Sequence, residues 1–511
     1  GWSVRNKWRR IARSGRTFAS TPSLLDPLGG SVSLPAGVAR RLWFLVEAPA
    51  DAPAGEIEGT LRLRLADGTE VTRPVTVTVR PFGLPTPDLM LGYRGLAGVY
   101  PETSYPEVPA RQAAEVPMAA ALARAAGLTA VAGGLGGPRA LGYDDEDHLT
   151  VDFEATDRTL AAVRAAGFEG PFFTDYGLRL RGIGEAFEPL DVLYGRPYAE
   201  VLADLLAATR AHAAEAGWPP LIHLIGDAPE GAGVGDALAL SAALKAADPQ
   251  ARTAAITPFS NPEAPQGAFA GAVDLLLATT HTDSAVDFAV EAGTELVTTG
   301  HTNRYRQGVY QFALRLRGGA GHFESALSSP TVDPYFALDG RDDDVGAAIT
   351  HPSGTLRPTV EWARTQQAVV DLRYLLALEQ AIVGGPRSRA KVAAEEFLAG
   401  VLARLPLGDF EADGYTEPEL DALRGEIAEH IVALAGAVEE VWDWGPEAGM
   451  GDGDVGVTET DVGGAPLDGG LHGDGGKGGS GCGCRATGDG APMAWLLGGL
   501  LLLGWRRRRV R

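Results

Sequence analysis

Three acids stand at the ends of apolar runs: Asp175 closes residues 171–175, Asp227 follows residues 221–226, and Glu324 lies within residues 321–326. Carboxyl groups gathered at one pocket can divide acid and base work between them, which is the normal equipment of glycoside hydrolysis. Each acid also has a plainer reading, because an Asp at a strand end commonly caps the turn or helix that follows. At comparable strand ends stand Tyr93, Tyr176, His281 and His301, with Arg304 and Tyr305 close behind. Aromatic rings and a guanidinium can stack on a sugar or donate to it, so these six are candidate substrate contacts; Arg304, Tyr305 and Tyr310 also read as packing at a helix start. His281 and His301 each precede Thr, in "ATTHTD" and "TTGHTN". Two His with an Asp have a donor set for a metal, but they come from separate strands, and polar residues lining a mouth account for them better. Neither a metal nor a cofactor is expected.

An alternation of apolar strand and helix is what would bring these side chains together. Candidate strands lie at 89–93, 128–132, 171–175, 221–226, 252–257, 273–278, 295–299 and 321–326. Ala-rich stretches of helical period separate most of them, at 111–126, 156–166, 198–216, 236–247 and 284–292. Eight such units over about 240 residues have the size of a (β/α)8 TIM-type barrel, whose chemistry sits at the C-terminal strand ends. A doubly wound open sheet is the alternative, but no Gly-rich phosphate loop follows the first strand, and the Gly run at 133–137 lacks the Lys of a P-loop.

The barrel is expected over 87–345, between two other regions. In the module 1–86, residues 31–82 alternate in short strands, as in Leu42, Phe44, Val46 and again in Val75, Val77, Val79, with Asp67-Gly68 as a hairpin turn. That pattern predicts an N-terminal β-sandwich that lacks its own beginning. Residues 346–445 predict helices at 355–383, 389–403 and 417–438, the last with Leu420, Leu423, Ile427, Ile431 and Leu434 on one stripe.

The chain of 511 residues is 45% hydrophobic and carries a formal net charge of −22. The first twenty residues and the last six are basic, so the body between them is more acidic still. Such a body repels phosphate backbones and argues against a nucleic-acid partner. Both cysteines, Cys482 and Cys484, lie near the C-terminus, too close for an easy disulfide and without a His at metal-ligand spacing. Around them residues 446–490 are dense in Gly and Asp, which predicts a flexible linker. Residues 491–511 follow as an apolar run, shorter than the roughly 20 residues a bilayer core needs, and then an Arg cluster, Arg506–Arg509 and Arg511. Basic clusters stay on the cytoplasmic side, which places the linker and all before it outside. The order Gly-Cys-Gly-Cys, Leu-rich run, Arg block resembles the myxobacterial C-terminal sorting signal. The resemblance implies one modified Cys, dealings with the envelope sorting machinery and the membrane, and attachment to the cell surface. The chain opens on Gly1, and an export signal is expected upstream of it.

Three further stretches resemble glycoside hydrolase family 123 and the domain of unknown function 4091. They are "VTVTVRPFGLP" before the barrel, "LIHLIGDAPEG" at its fourth strand, and "PTVEWARTQQAVVDLRYLLALEQ" after it, in which Asp371, Tyr374 and Leu375 match while Glu361 and Trp362 are reversed. The resemblance spans roughly 31–385 and implies a retaining, substrate-assisted mechanism of β-N-acetylgalactosaminidase type. The substrate's 2-acetamido oxygen attacks the anomeric carbon, an Asp orients it, and an adjacent Glu protonates the leaving oxygen. Carried across, the Asp is Asp227, and the Glu position holds Ala228. Glu230, Asp175 and Glu324 are the acids that could supply the proton instead. Two readings follow: a hydrolase of amino-sugar glycans with a shifted acid, or a barrel that binds glycan or serves as a scaffold without cutting.

Overall fold

The structure, a computed structural model, describes residues 2–10, 18–27, 37, 41–49, 51–95, 107–132, 137–174, 194–227, 232–259, 263–299, 303–325, 336–337, 346–350, 355–405 and 414–439. Its first strands are β1 (Trp2–Arg10), β2 (Phe18–Pro27) and β3 (Leu42–Trp43), and β1 pairs antiparallel with both others. A separate antiparallel hairpin is made by β4 (Gly55–Arg64) and β5 (Glu70–Val79). The Asp67 carboxylate holds its turn by accepting from the Thr69 backbone N–H at 2.8 Å. The expected sandwich is not what the described residues form. The apolar face of the hairpin carries Ile57, Val75 and Val77 in register, yet Ile57 is 51% and Val75 42% exposed. Alternation predicts the strands of the hairpin, but β1 and β2 lie outside the alternating stretch, Phe44 and Val46 fall beyond β3, and the pattern does not say whether a second layer covers the hairpin.

Eight parallel strands then close into a barrel, as the strand and helix alternation predicts. They are β6 (Met90–Arg94), β7 (Ala130–Ala132), β10 (Phe172–Thr174), β11 (Leu221–Asp227), β12 (Arg252–Phe259), β13 (Leu275–His281), β14 (Glu295–Thr299) and β15 (Gly319–Ser325). A hairpin of β8 (Arg139–Tyr143) and β9 (Leu149–Asp152) is inserted after β7. The accompanying helices are α1 (Glu107–Ala125), α2 (Glu154–Ala165), α3 (Tyr198–Ala216), α4 (Ala232–Ala247), α5 (Asp283–Glu291), α6 (Arg304–Gln307) and α7 (Val309–Leu316). Period-two alternation sorts each strand into two rows. One row fills the barrel: Ala130, Ala132, Phe173, Ile222, Leu224, Ala254, Ile256, Leu275, Leu277, Val297 and Phe323. The other row, including Leu91, Tyr93, Val131, Phe172, Ala255 and Leu276, joins the layer beneath the helices. Gly92 is required in the inner row, because a Cβ there would stand 2.3 Å from Cε1 of Phe323.

After the barrel, β16 (Phe336–Ala337) returns to pair parallel with β1 and completes a four-stranded sheet. A short hairpin of β17 (Ala348–Thr350) and β18 (Leu356–Pro358) leads into the expected helices, α8 (Val360–Gly384), α9 (Arg389–Ala403) and α10 (Glu417–Ala435). Ser388 caps α9, its hydroxyl accepting from Lys391 N at 3.2 Å, and α10 opens with the Glu419 carboxylate accepting from Thr416 N at 2.8 Å. Buried Trp362 on α8 donates from its indole to Leu122 O of α1 at 2.8 Å. The linker at 446–490 and the apolar anchor at 491–511 lie outside the described residues. Among the described residues no helix is long and apolar enough to cross a membrane.

Candidate functional site

Strand register shifts at three places around the described barrel. Along β11, Leu224 is level with Ala254, but Gly226 is level with Ala255 and Asp227 with Ile256. Ile225 is the extra residue, so two successive positions fall in the outer row and Asp227 takes the inward register position of Ile256. Strict alternation without the bulge would have given Asp227 an outer place. A second shift adds a residue to β15, so that Leu296 is level with Gly319 but Val297 with Gly321, and Thr299 is then level with inward Phe323; a third adds a residue to β13 and sets His281 level with Phe259. On β6, Arg94 follows inward Gly92 by two residues and is level with inward Ala132. The mouth is thus bounded by inward places held by Arg94, Asp227, Thr299 and Thr279, the last two residues beyond Leu277 on β13. The floor is apolar, with Phe173 and Phe323 meeting edge to face at 5.2 Å.

Arg94 Nη1 donates to Thr299 Oγ1 at 3.4 Å, and Arg94 is half-buried while Thr299 is buried. The strand-end candidate Tyr93 is one residue short of Arg94. The signal was available in strand parity, since Gly92 and Arg94 must share the face opposite Tyr93.

Several expected contacts belong elsewhere. Tyr93 is buried in the layer between barrel and helices, because its place on β6 is an outward one. His281 is level with outward Phe259, is 1% exposed, and pairs its Nε2 with the Tyr310 hydroxyl at 2.5 Å on α7. It serves packing between strand and helix, neither sugar nor metal. Arg304 is buried and gives Nε and Nη2 to the two oxygens of Asp371 on α8, at 2.7 and 3.0 Å, and Nη1 to Asp421 of α10 at 2.7 Å. Arg424 also pairs with Asp371. Burial pushes the Asp371 carboxyl up from its ordinary value while both guanidiniums pull it down. Arg304 thus joins α6 to the C-terminal helices and is no sugar contact. Tyr305 is 2% exposed and lies among Tyr310 and Tyr415 in that same layer.

Glu324 lies on β15 level with outward Tyr93 and next to inward Phe323, so its register place faces the helices and not the mouth. Asp175, Tyr176, Ala228, Glu230, His301, Cys482 and Cys484 lie outside the described residues. Among the described residues no group of three His, Cys, Asp or Glu could hold a metal ion.

One wall near the mouth is well fixed. The hairpin β8–β9, inserted at the C-terminal end of β7, is tied to the start of α3. The Tyr143 hydroxyl donates to Asp204 at 2.8 Å, and the Tyr194 hydroxyl donates to Ala140 O at 3.0 Å. Arg196 stacks on the Tyr143 ring at 4.2 Å and pairs with Asp147. Burial first, and then Asp204, push the Tyr143 hydroxyl up to about 12, so it stays a donor at physiological pH.

No protein-family model matches the chain, and no curated protein matches it significantly. Solved structures do. The structure of a family 123 glycoside hydrolase from Clostridium perfringens, described with glycolipid glycan hydrolysis, matches at a TM-score of 0.55 with 10% identity over 85% of each chain. Saccharomyces cerevisiae Gas2p, solved with laminaritetraose and laminaripentaose, matches at 0.35 with 9% identity over 54% of this chain and 63% of its own. The exo-β-1,4-mannosidase Op5Man5 from Opitutaceae bacterium strain TAV5 matches at 0.34 with 12% identity over 62% of each. In fold, along most of its length, the chain is similar to a family 123 glycoside hydrolase.

Proposed function

We propose that this chain is a glycoside-hydrolase-like protein that takes amino-sugar glycans at the C-terminal mouth of its barrel, with Asp227 at the reacting centre. What carries the reading is that Asp227 ends β11 in the inward register, within a fold that follows a family 123 glycoside hydrolase over 85% of both chains. The route implied by the sequence resemblance is substrate-assisted. Asp227 holds the acetamide while its oxygen attacks the anomeric carbon, and the departing oxygen takes a proton. Ala228 has none to give, so the donor is Glu230 or Asp175. A mouth without such a donor binds glycan and does not cut it, and Ala228 is the observation that favours this second reading.

Chromogenic N-acetylgalactosaminide and N-acetylglucosaminide substrates separate the two. Turnover that falls about 10²- to 10⁴-fold in Asp227→Asn supports the hydrolase, and Glu230→Gln and Asp175→Asn then identify the donor. Saturable binding of the same sugars without turnover selects the binding protein. Neither binding nor turnover sinks both.

The tail adds a place of action, the outer face of the cell envelope, reached through Cys482 or Cys484. Replacing both by Ala releases the protein to the medium. A double variant retained at the surface as fully as the parent ends that part of the reading.

A further inference from the structure

We infer that Arg94, positioned by Thr299, is the donor edge of the sugar subsite and reads an acceptor oxygen of a neutral amino-sugar ring. This rests on the reading of the barrel mouth as a glycan site and deepens it. Arg94 is on β6 and Thr299 on β14, and β15 lies between them in the barrel. Neighbouring strands are about 4.8 Å apart, so these two backbones are separated by roughly 10 Å. The 3.4 Å contact between Nη1 and Oγ1 therefore requires the guanidinium to reach past β15. Both residues take inward places, Arg94 level with Ala132 and Thr299 level with Phe323, so the guanidinium crosses on the barrel side, above the apolar floor. Arg94 is half-buried there, neither sealed in the core nor spread on the surface.

The chemistry of that position is specific. A guanidinium presents five N–H donors in a fixed plane, enough to serve Thr299, another protein acceptor and a ligand oxygen together. Its natural partners on a ligand are carbonyl or hydroxyl oxygens, or an anion. The net charge of −22 repels polyanionic glycans, which leaves the hydroxyl and acetamide oxygens of a neutral sugar.

A purely structural tie between β6 and β14 predicts something else: lost stability with no change in ligand preference. The test uses the full chain and measures, by titration calorimetry, binding of N-acetylgalactosamine oligosaccharides and of their galactose counterparts. Wild type, Arg94→Met, Arg94→Lys and Thr299→Val are compared, with Tm recorded for each. A charge-assisted hydrogen bond corresponds to a loss of about 10- to 100-fold in affinity. Arg94→Met should show that loss at nearly unchanged Tm, Arg94→Lys a smaller one, and Thr299→Val a smaller one still. Binding by Arg94→Met equal to wild type overturns the inference and leaves the proposed function standing. So does a loss of affinity that merely follows Tm across the variants. If Arg94→Met does not fold, Arg94→Lys decides: unchanged affinity in a folded Lys variant refutes the planar donor edge. A wild-type chain that binds no glycan removes the proposed function and this inference with it.

Discussion

Burial holds the His223 imidazole down to about 4, against a smaller opposite pull from Asp248. The folded state thus favours neutral imidazole, while in the unfolded chain the group titrates near 6.5. Its contribution is complete above about pH 6.5 and is lost as the pH falls toward 4, to the extent of about 2 kcal/mol at pH 4.5. Urea unfolding of His223→Gln at pH 7 and 4.5 should therefore show a smaller acid-induced loss than wild type; equal losses would contradict the assignment. Arg304 supplies a second test. Removing it leaves Asp371 buried with one partner fewer, so Arg304→Gln should cost about 3–5 kcal/mol in urea unfolding while the folded fraction keeps wild-type glycan affinity. A weakened affinity at full folding would return Arg304 to the sugar site. At this scale the sequence was legible in part. It located strand ends, but a strand end has two faces. Tyr93, His281 and Tyr305 lie on the helix side, and residue type alone does not distinguish a buried ring from one exposed to a ligand.

Elements were easier to read than single residues. Every apolar run from 89 to 326 contains a barrel strand, because a strand covered on both faces must be apolar throughout. The register shifts in β11, β13 and β15 were not legible, since a bulge adds a residue without changing composition. The hairpin β8–β9 was also missed; its residues, Arg139–Tyr143 and Leu149–Asp152, are too polar and too short to stand out. The inner row makes one sharp demand. Gly92→Ala puts a methyl group against the Phe323 ring and Ala130 O, at 2.3 and 2.5 Å before anything shifts. Overpacking of this kind costs about 1–3 kcal/mol. Chemical denaturation of Gly92→Ala should show that cost, and adding Phe323→Leu should recover part of it. No recovery would mean that Ala130 O, on the backbone, decides.

Across the whole molecule, α8 is the member that joins barrel to helices. Arg373 donates to Pro85 O at 2.8 Å and Leu84 O at 2.6 Å, and Arg315 bridges Glu379 to Asp88. Trp362 holds α1. Such ties predict one cooperative unfolding transition for barrel and helices together. Trp362→Ala should lower the free energy of that transition by about 3–5 kcal/mol without splitting it in two. Thermal melts followed by near- and far-ultraviolet circular dichroism would reveal a split as non-coincident curves. The parallel pairing of Trp8 and Arg9 with Phe336 and Ala337 has its own consequence for biosynthesis. At ordinary ribosomal speeds the second partner emerges on the order of tens of seconds after the first. Through that interval the Trp8 end of the opening strand stands with one side unfilled, an invitation to neighbouring nascent chains. Dense polysomes should therefore be where this protein is most prone to tangle, and a holding chaperone its most useful early companion.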